Sequence, residues 1–430
     1  MGKYFIDATY EGDFIAAAGI PYHIGREDQA SYNETGAGVT YKYWGGAEAN
    51  WTTHSGDNGI QAYNYRLTLT NNASKAYTIQ KPWDYNRNEY LSLVDDIITG
   101  CHTGAESEGF CPPPQPRNGG NAGGEGGYEG EKGQRRARDG GSDSQKPARK
   151  VPGEPKGIHR LTSMVRIPND KFDANNQHLA FISTDLPEEN WPYPTSSWAW
   201  RDKFAGRLRS YTLGLFYFAQ NDSAVPQWYR DSVRSWGLAT DEYEDNMHFP
   251  RQIYVREGRR LRSLFTFTSR DALPAPGEAR VYKHSVTSSH YALDSHAVRK
   301  REPGRVGLDG LVSYRTPRPY TVPYEVMVPA GPMTNVLAPV AVGGTHIGFS
   351  TLRMEPCWMA LGQAAGVAAS ILVSSTQPDG RPKAVADVNV TDLQNDLLLQ
   401  KAVLVYFSGM WGLPVEERNK RQRTLLQKGQ

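Results

Sequence analysis

The chain has 430 residues, room for two or three ordinary domains and a large core. Its 48 Lys and Arg against 46 Asp and Glu leave a formal charge of +2, a balance that argues against a dedicated nucleic-acid binder. Three cysteines, Cys101, Cys111 and Cys357, are too few for a disulfide framework and lack the spacing of a zinc site; a Cys101–Cys111 pair is conceivable in an oxidising compartment, with free thiols the preferred reading.

No basic region followed by an apolar run opens the chain, and the most apolar segment, "AAGVAASILV", reads as too short to span a bilayer. "KYFIDA" predicts a buried strand ending at Asp7, and "GDFIAAAGI" a short helix stopped by Gly19. Tyr63, Tyr65, Leu67 and Leu69 alternate with polar residues, which predicts a half-buried strand over 60–70. The turn chemistry of "TNNAS" then predicts "KAYTIQKP" as the return strand. "RNEYLSLVDDIITG" has the pattern of an amphipathic helix closed by Gly100.

Between Gly104 and Lys150 there is no Ile, Leu, Val or Met, and ten glycines fall between Asn118 and Gly141. Such a stretch buries too little apolar surface to offset its ordering entropy, so 104–157 is expected to be disordered. Its "QRRAR" would be solvated or touch an acidic partner.

Order is expected again from His159. Three helices are predicted: "KFAGRLRSYTLGLFYFAQND", then "VPQWYRDSVRSWGLATDEY" ending at Gly237, then "PRQIYVREGRRLRSLFTFTS". "YTVPYEVMVPA" and "NVLAPVAVGG" read as strands, and the polar tail from Glu416 to Gln430 is expected to fray.

"STLRMEPCWMALGQAAGVAAS" is the most informative stretch. Pro356 suits a first helical turn, where its missing N–H costs nothing, and Glu355 beside it can accept from free amides. Gly362 and Gly366 share one face, with Ala365 and Ala369 adjoining. A flat ligand could approach that face, and the positive end of the helix would favour negative charge; a tightly packed core helix is the other reading.

Several polar residues are candidates for chemistry. His346 could act as a general acid or base, or bond a backbone carbonyl. Asp294 and His296 flank Ser295, and on a strand they would share a face and interact. Arg256, Arg259 and Arg260 would line one helical face, suited to a carboxylate or phosphate, or simply solvated. Lys171, Asp173, Asn175 and Asn176 read as a polar turn. No metal-binding spacing stands out.

"THIGFSTLRMEPCWMALGQAAGVAA" closely resembles the C-terminal signature of a family of FAD-dependent oxidoreductases related to the fumarate reductase and glutathione reductase flavoproteins. "FIDATYEGDFIAAAGIPYHIGRE", "GIQAYNYRLTLT", "IPNDKFDANN", "ISTDLPEENWPYP", "WGLATDEYEDNMHFPRQIYVREGRR" and "YALDSHAV" are similar to family blocks in the same order, so the likeness covers nearly the whole chain. It implies an α/β fold: a partial Rossmann-like FAD-binding domain with a mixed β and helical substrate domain. The implied units are 1–37 and 326–376 for FAD binding, 38–103 and 158–325 for substrate, 104–157 as the insertion, and 377–430 as a helical extension and tail.

By the same resemblance the cofactor is FAD. Asp7, Ala8 and Thr9 would pass beside it, and Arg353, Met354, Glu355 and Pro356 would sit against the flavin ring. Gly362, Gln363 and Gly366 would let the helix pack under it. His346, Arg353, Asp294 and His296 are the catalytic candidates, for hydride transfer between flavin and a polar organic small molecule, with neither nucleic acid nor membrane as partner. No Gly-x-Gly-x-x-Gly turn occurs in a strand–helix context, so the N-terminal half of the FAD domain is expected to be missing or supplied elsewhere. The alternative is a non-catalytic recognition protein that no longer binds FAD.

Overall fold

The structure is a computed structural model that describes residues 2–42, 47–103, 154–273, 280–305, 307–375 and 382–430. Helices and strands are mixed along the chain, consistent with an α/β class. Two large hydrophobic cores organise it.

The first core forms on a five-stranded antiparallel sheet whose middle strand is Leu67–Thr70. That strand is buried on both faces rather than one. Leu67 and Leu69 pack with Leu208, Leu215 and Phe218 of the long helix Trp198–Asn221, while Thr70 turns its hydroxyl to the Asp170 carbonyl. The long helix starts at a serine cap, where the Ser197 side chain accepts from Trp200 N.

The neighbours of Leu67–Thr70 in the sheet are Lys171–Asn176 and Gly237–Ala239, with Leu67 opposite Ala174 and Leu69 opposite Leu238. The expected return strand is only Ala76–Tyr77, and it pairs with Gly237–Ala239 instead of its predecessor. Gly237 makes that wedge possible, because a Cβ there would meet the Tyr77 carbonyl oxygen at 2.4 Å. The helix expected to run to Gly237 is therefore confined to Gln227–Val233.

The region 250–269 departs most from expectation. Up to Thr268 it is extended rather than helical, with Arg260–Leu261 pairing antiparallel to Tyr22–His23. An exposed helical face would have left its arginines in water. Here Arg256 and Arg260 are buried and ion-paired, to Asp185 and Glu27 at 2.8 Å each. Arg259 is buried as well and meets Asp13 at 2.7 Å. Lys171–Asn176, read as a turn, is likewise a full strand.

The second core gathers the antiparallel pair Ser285–Ser289/Tyr320–Pro323, the pair Leu293–Ser295/Val312–Tyr314 that falls between its two strands in the chain, and the helices His346–Leu352 and Glu355–Ser374. Phe5–Ile6 pairs in parallel with Val336–Leu337, but Phe5 and Ile6 are exposed, against the expectation of a buried strand. Glu355–Ser374 is long and apolar enough to cross a membrane by length and composition, longer than the apolar run read from sequence. One seam of it, with Leu361, Ala364, Ala365, Ala368 and Leu372, is buried in this core.

The tail does not fray. It forms the helix Val415–Gln427, whose Gln422 side-chain oxygen accepts from Leu404 N and Val405 N at 2.8 and 3.1 Å. Buried amides need such partners, so a polar residue anchors the helix. The expected disorder over 104–157 falls mostly outside the described residues. At its borders, Arg160 donates to the Cys101 carbonyl at 2.9 Å and to Glu154 at 2.8 Å.

Glu34 ties two helix starts together. Its carboxylate accepts from Ser269 N at 2.6 Å and from the Thr345 hydroxyl at 2.7 Å. Burial nevertheless dominates and pushes its pKa up to about 7 from 4.5. The folded protein therefore holds this proton more tightly than the unfolded chain, and stability falls as pH rises from about 4.5 to about 7. Glu34→Gln should remove up to about 3 kcal/mol of that loss. Urea unfolding at pH 5 and pH 8 checks it: the variant should lose less stability between the two than the wild type.

Candidate active site

Strand Leu293–Ser295 sorts its side chains by alternation. Ser295 faces His346, with its Oγ 3.0 Å from Nε2. The other ring nitrogen, Nδ1, stands 2.8 Å from Glu257 Oε2, and the His346 backbone N–H donates to Glu27 at 2.8 Å. His346 is buried and borders neither of the hollows described below.

Asp294 faces the other way and meets Arg353. Arg353 Nη2 donates to the Asp294 carboxylate at 3.1 Å and to its carbonyl at 2.9 Å, while Nη1 reaches the Tyr254 hydroxyl at 3.3 Å. Tyr291 donates to Asp294 at 2.9 Å, and His296 Nε2 lies 3.6 Å from the same carboxylate. Burial alone would raise the Asp294 pKa, but His296 and Arg353 outweigh it and hold the carboxyl well below the usual range. His296 Nδ1 continues the line to Asp185 at 2.8 Å, and Asp185 meets Arg256 at 2.8 Å. Three of the four catalytic candidates thus stand together, and His346 belongs to a neighbouring network joined to them through Ser295.

A cleft of about 660 Å³ opens beside this cluster, bordered by Ala8, Tyr10, Arg66, Tyr254, Glu355 and Trp358. That volume lies within the range of about 300–1,000 Å³ common for ligand sites. Tyr10 and Trp358 meet edge to face at 5.8 Å. The Tyr254 ring has the guanidinium groups of Arg66 and Arg256 at 5.4 and 5.1 Å from its centroid. Burial, with Tyr254 and Glu355 nearby, raises the Tyr10 pKa.

Of the other sequence candidates, Ala8 and Glu355 border the cleft and the rest do not. Asp7 is occupied locally, accepting from Thr9 N and Ile15 N at 3.0 Å each, and Thr9 turns its hydroxyl to Asp7. Of that segment's three candidates, Ala8 borders the cleft. Met354 is the N-cap of the small-residue helix, with no side-chain cap, and Pro356 is exposed in its first turn. A Cβ added at Gly362 or Gly366 would meet nothing within 4 Å, and Gln363 bonds Gln400 at 2.9 Å. The face expected to pack under a cofactor is therefore open among the described residues.

Sequence reasoning misses Tyr10, Tyr254, Trp358, Asp185 and Glu257. Tyr10 follows the Asp-Ala-Thr segment directly, and Trp358 follows Pro356 by two positions, so adjacency to the signature was the available signal. Asp185 carries no local pattern, because its partners Arg256 and His296 lie far away in the chain, and Glu257 has a near neighbour in Arg260 but meets His346 from a distant stretch.

Two buried donors near the cleft, Trp358 Nε1 and Arg353 Nε, have no hydrogen-bond partner among the described residues. They and the uncapped helix start suit an acceptor-rich planar group. A family model described as FAD dependent oxidoreductase matches residues 1–397. No curated protein and no solved structure matched.

Arg256 makes the sharpest structural test. Arg256→Met would leave Asp185 buried with only His296, and should cost about 3–5 kcal/mol in urea unfolding. Arg256→Lys should not restore it, since one ammonium cannot span Asp185, Asn64 and Asn175 together.

Proposed function

The chain belongs to the FAD-dependent oxidoreductase family, and from that premise we propose that its aromatic cleft takes the flavin ring of FAD, with a polar organic small molecule as redox partner. The observation that carries this reading is the unpartnered buried donor Trp358 Nε1 on the wall of a cleft bordered by the start of an uncapped helix, with a second, Arg353 Nε, behind Tyr254. In this reading the parallel pair Phe5–Ile6/Val336–Leu337 belongs to a Rossmann-like FAD-binding unit.

When bound, FAD supplies hydride-accepting chemistry. The protein's part is positional and electrostatic. Tyr10 and Trp358 would wall the ring, Ala8 would leave it room, and the helix start, with Arg353 behind it, would favour negative charge on it. Arg353 is itself held by Asp294 and Tyr254, which fixes its direction. His296, between Asp294 and Asp185, is the group placed to hold or pass a proton.

Titrating the purified full chain with FAD tests this. Flavin fluorescence should be quenched on binding, and Ala8→Trp, which fills the cleft from an exposed position, should weaken binding at least about tenfold. No quenching would favour the recognition-only alternative, and equal binding by the variant would rule out this cleft as the flavin site.

A further inference from the structure

A second hollow, of about 220 Å³, meets the same line of charges at Asp185 and shares no bordering residue with the cleft. It is bordered by the loop 176–187, by Arg207 and Tyr211 of the long helix, and by Ala297, Leu308 and Leu311. The last three also belong to a small core with Phe181 and Cys101. At about 30 Å³ per water, the hollow has the volume of roughly seven waters.

Its charges are already matched. Arg207 pairs with Glu89 at 2.9 Å and Glu189 at 3.0 Å. Lys300 pairs with Glu189 at 2.6 Å, Arg301 with Asp96 at 2.9 Å, and Asp185 with Arg256 and His296 at 2.8 Å each. His178 has its pKa lowered, chiefly by burial, which favours the neutral ring. An ionic ligand would meet no spare opposite charge and would lose its hydration. The remaining surface mixes apolar Phe181, Ile182 and Leu186 with uncharged polar Asn176 and Ser183.

We propose that this hollow binds a small, neutral, hydroxyl-rich molecule, its C–H faces against the apolar side chains and its hydroxyls against Asn176, Ser183 and Asp185. The site is distinct from the flavin cleft and stands whether or not FAD binds there. Because Asp185 holds both Arg256 and His296, an occupant that bonds Asp185 acts directly on the line of charges leading to Arg353.

Isothermal titration of the full chain with glycerol, D-glucose and myo-inositol, and separately with succinate, tests the proposal. At least one neutral compound should bind with an affinity of about millimolar or tighter, and succinate should not. Ile182→Trp, at a half-buried position on the wall, should weaken that binding at least about tenfold while keeping the wild-type unfolding transition. Ala297→Leu fills the hollow from another side and should do the same. Binding of succinate in preference to the neutral compounds, unchanged binding in both folded variants, or no heat from any neutral compound overturns it.

Discussion

The buried guanidinium of Arg256 is the interaction on which the rest depends. It reaches the Ala62 carbonyl at 2.6 Å, Asp185 at 2.8 Å, and Asn64 and Asn175 at 3.1 Å each. Those partners come from separated stretches of chain, so one planar fork sets their mutual positions. A buried ion pair adds little net stability over an apolar equivalent, yet breaking one side is costly. Its value here is geometric: it keeps Asp185 against His296, and so aligns the charges that end at Arg353.

Much of this arrangement is legible in the sequence only where the signal is local. The long helix, the Gly100 stop and the small-residue helix follow from periodicity and capping, and the structure contains all three. Asp294 and His296 do approach each other, as two-residue spacing suggests. The failures share a cause. Arg256, Arg259 and Arg260 have helical spacing, but their partners Asp185, Asp13 and Glu27 are distant in sequence and pull the segment into an extended path. Asp173 and Asn175 favour turns locally, yet Arg66 and Arg256 hold them on a strand.

The small-residue helix divides its labour between faces. Leu361, Ala364, Ala365 and Ala368 are closed into the core, while Met359, Gln363, Gly366 and Val373 remain open. Small side chains on the inner seam allow close packing against strand Ser285–Ser289. At its start the same helix lends Glu355 and Trp358 to the border of the cleft.

Arg160 has a consequence for how the gene could be edited. By clasping the Cys101 carbonyl and Glu154 together, it brings the two borders of the glycine-rich stretch side by side. The closure entropy of a connecting loop changes only slowly with its length. Nature or an engineer could therefore trim, lengthen or exchange that stretch, even for a reporter, with little penalty to the two hydrophobic cores.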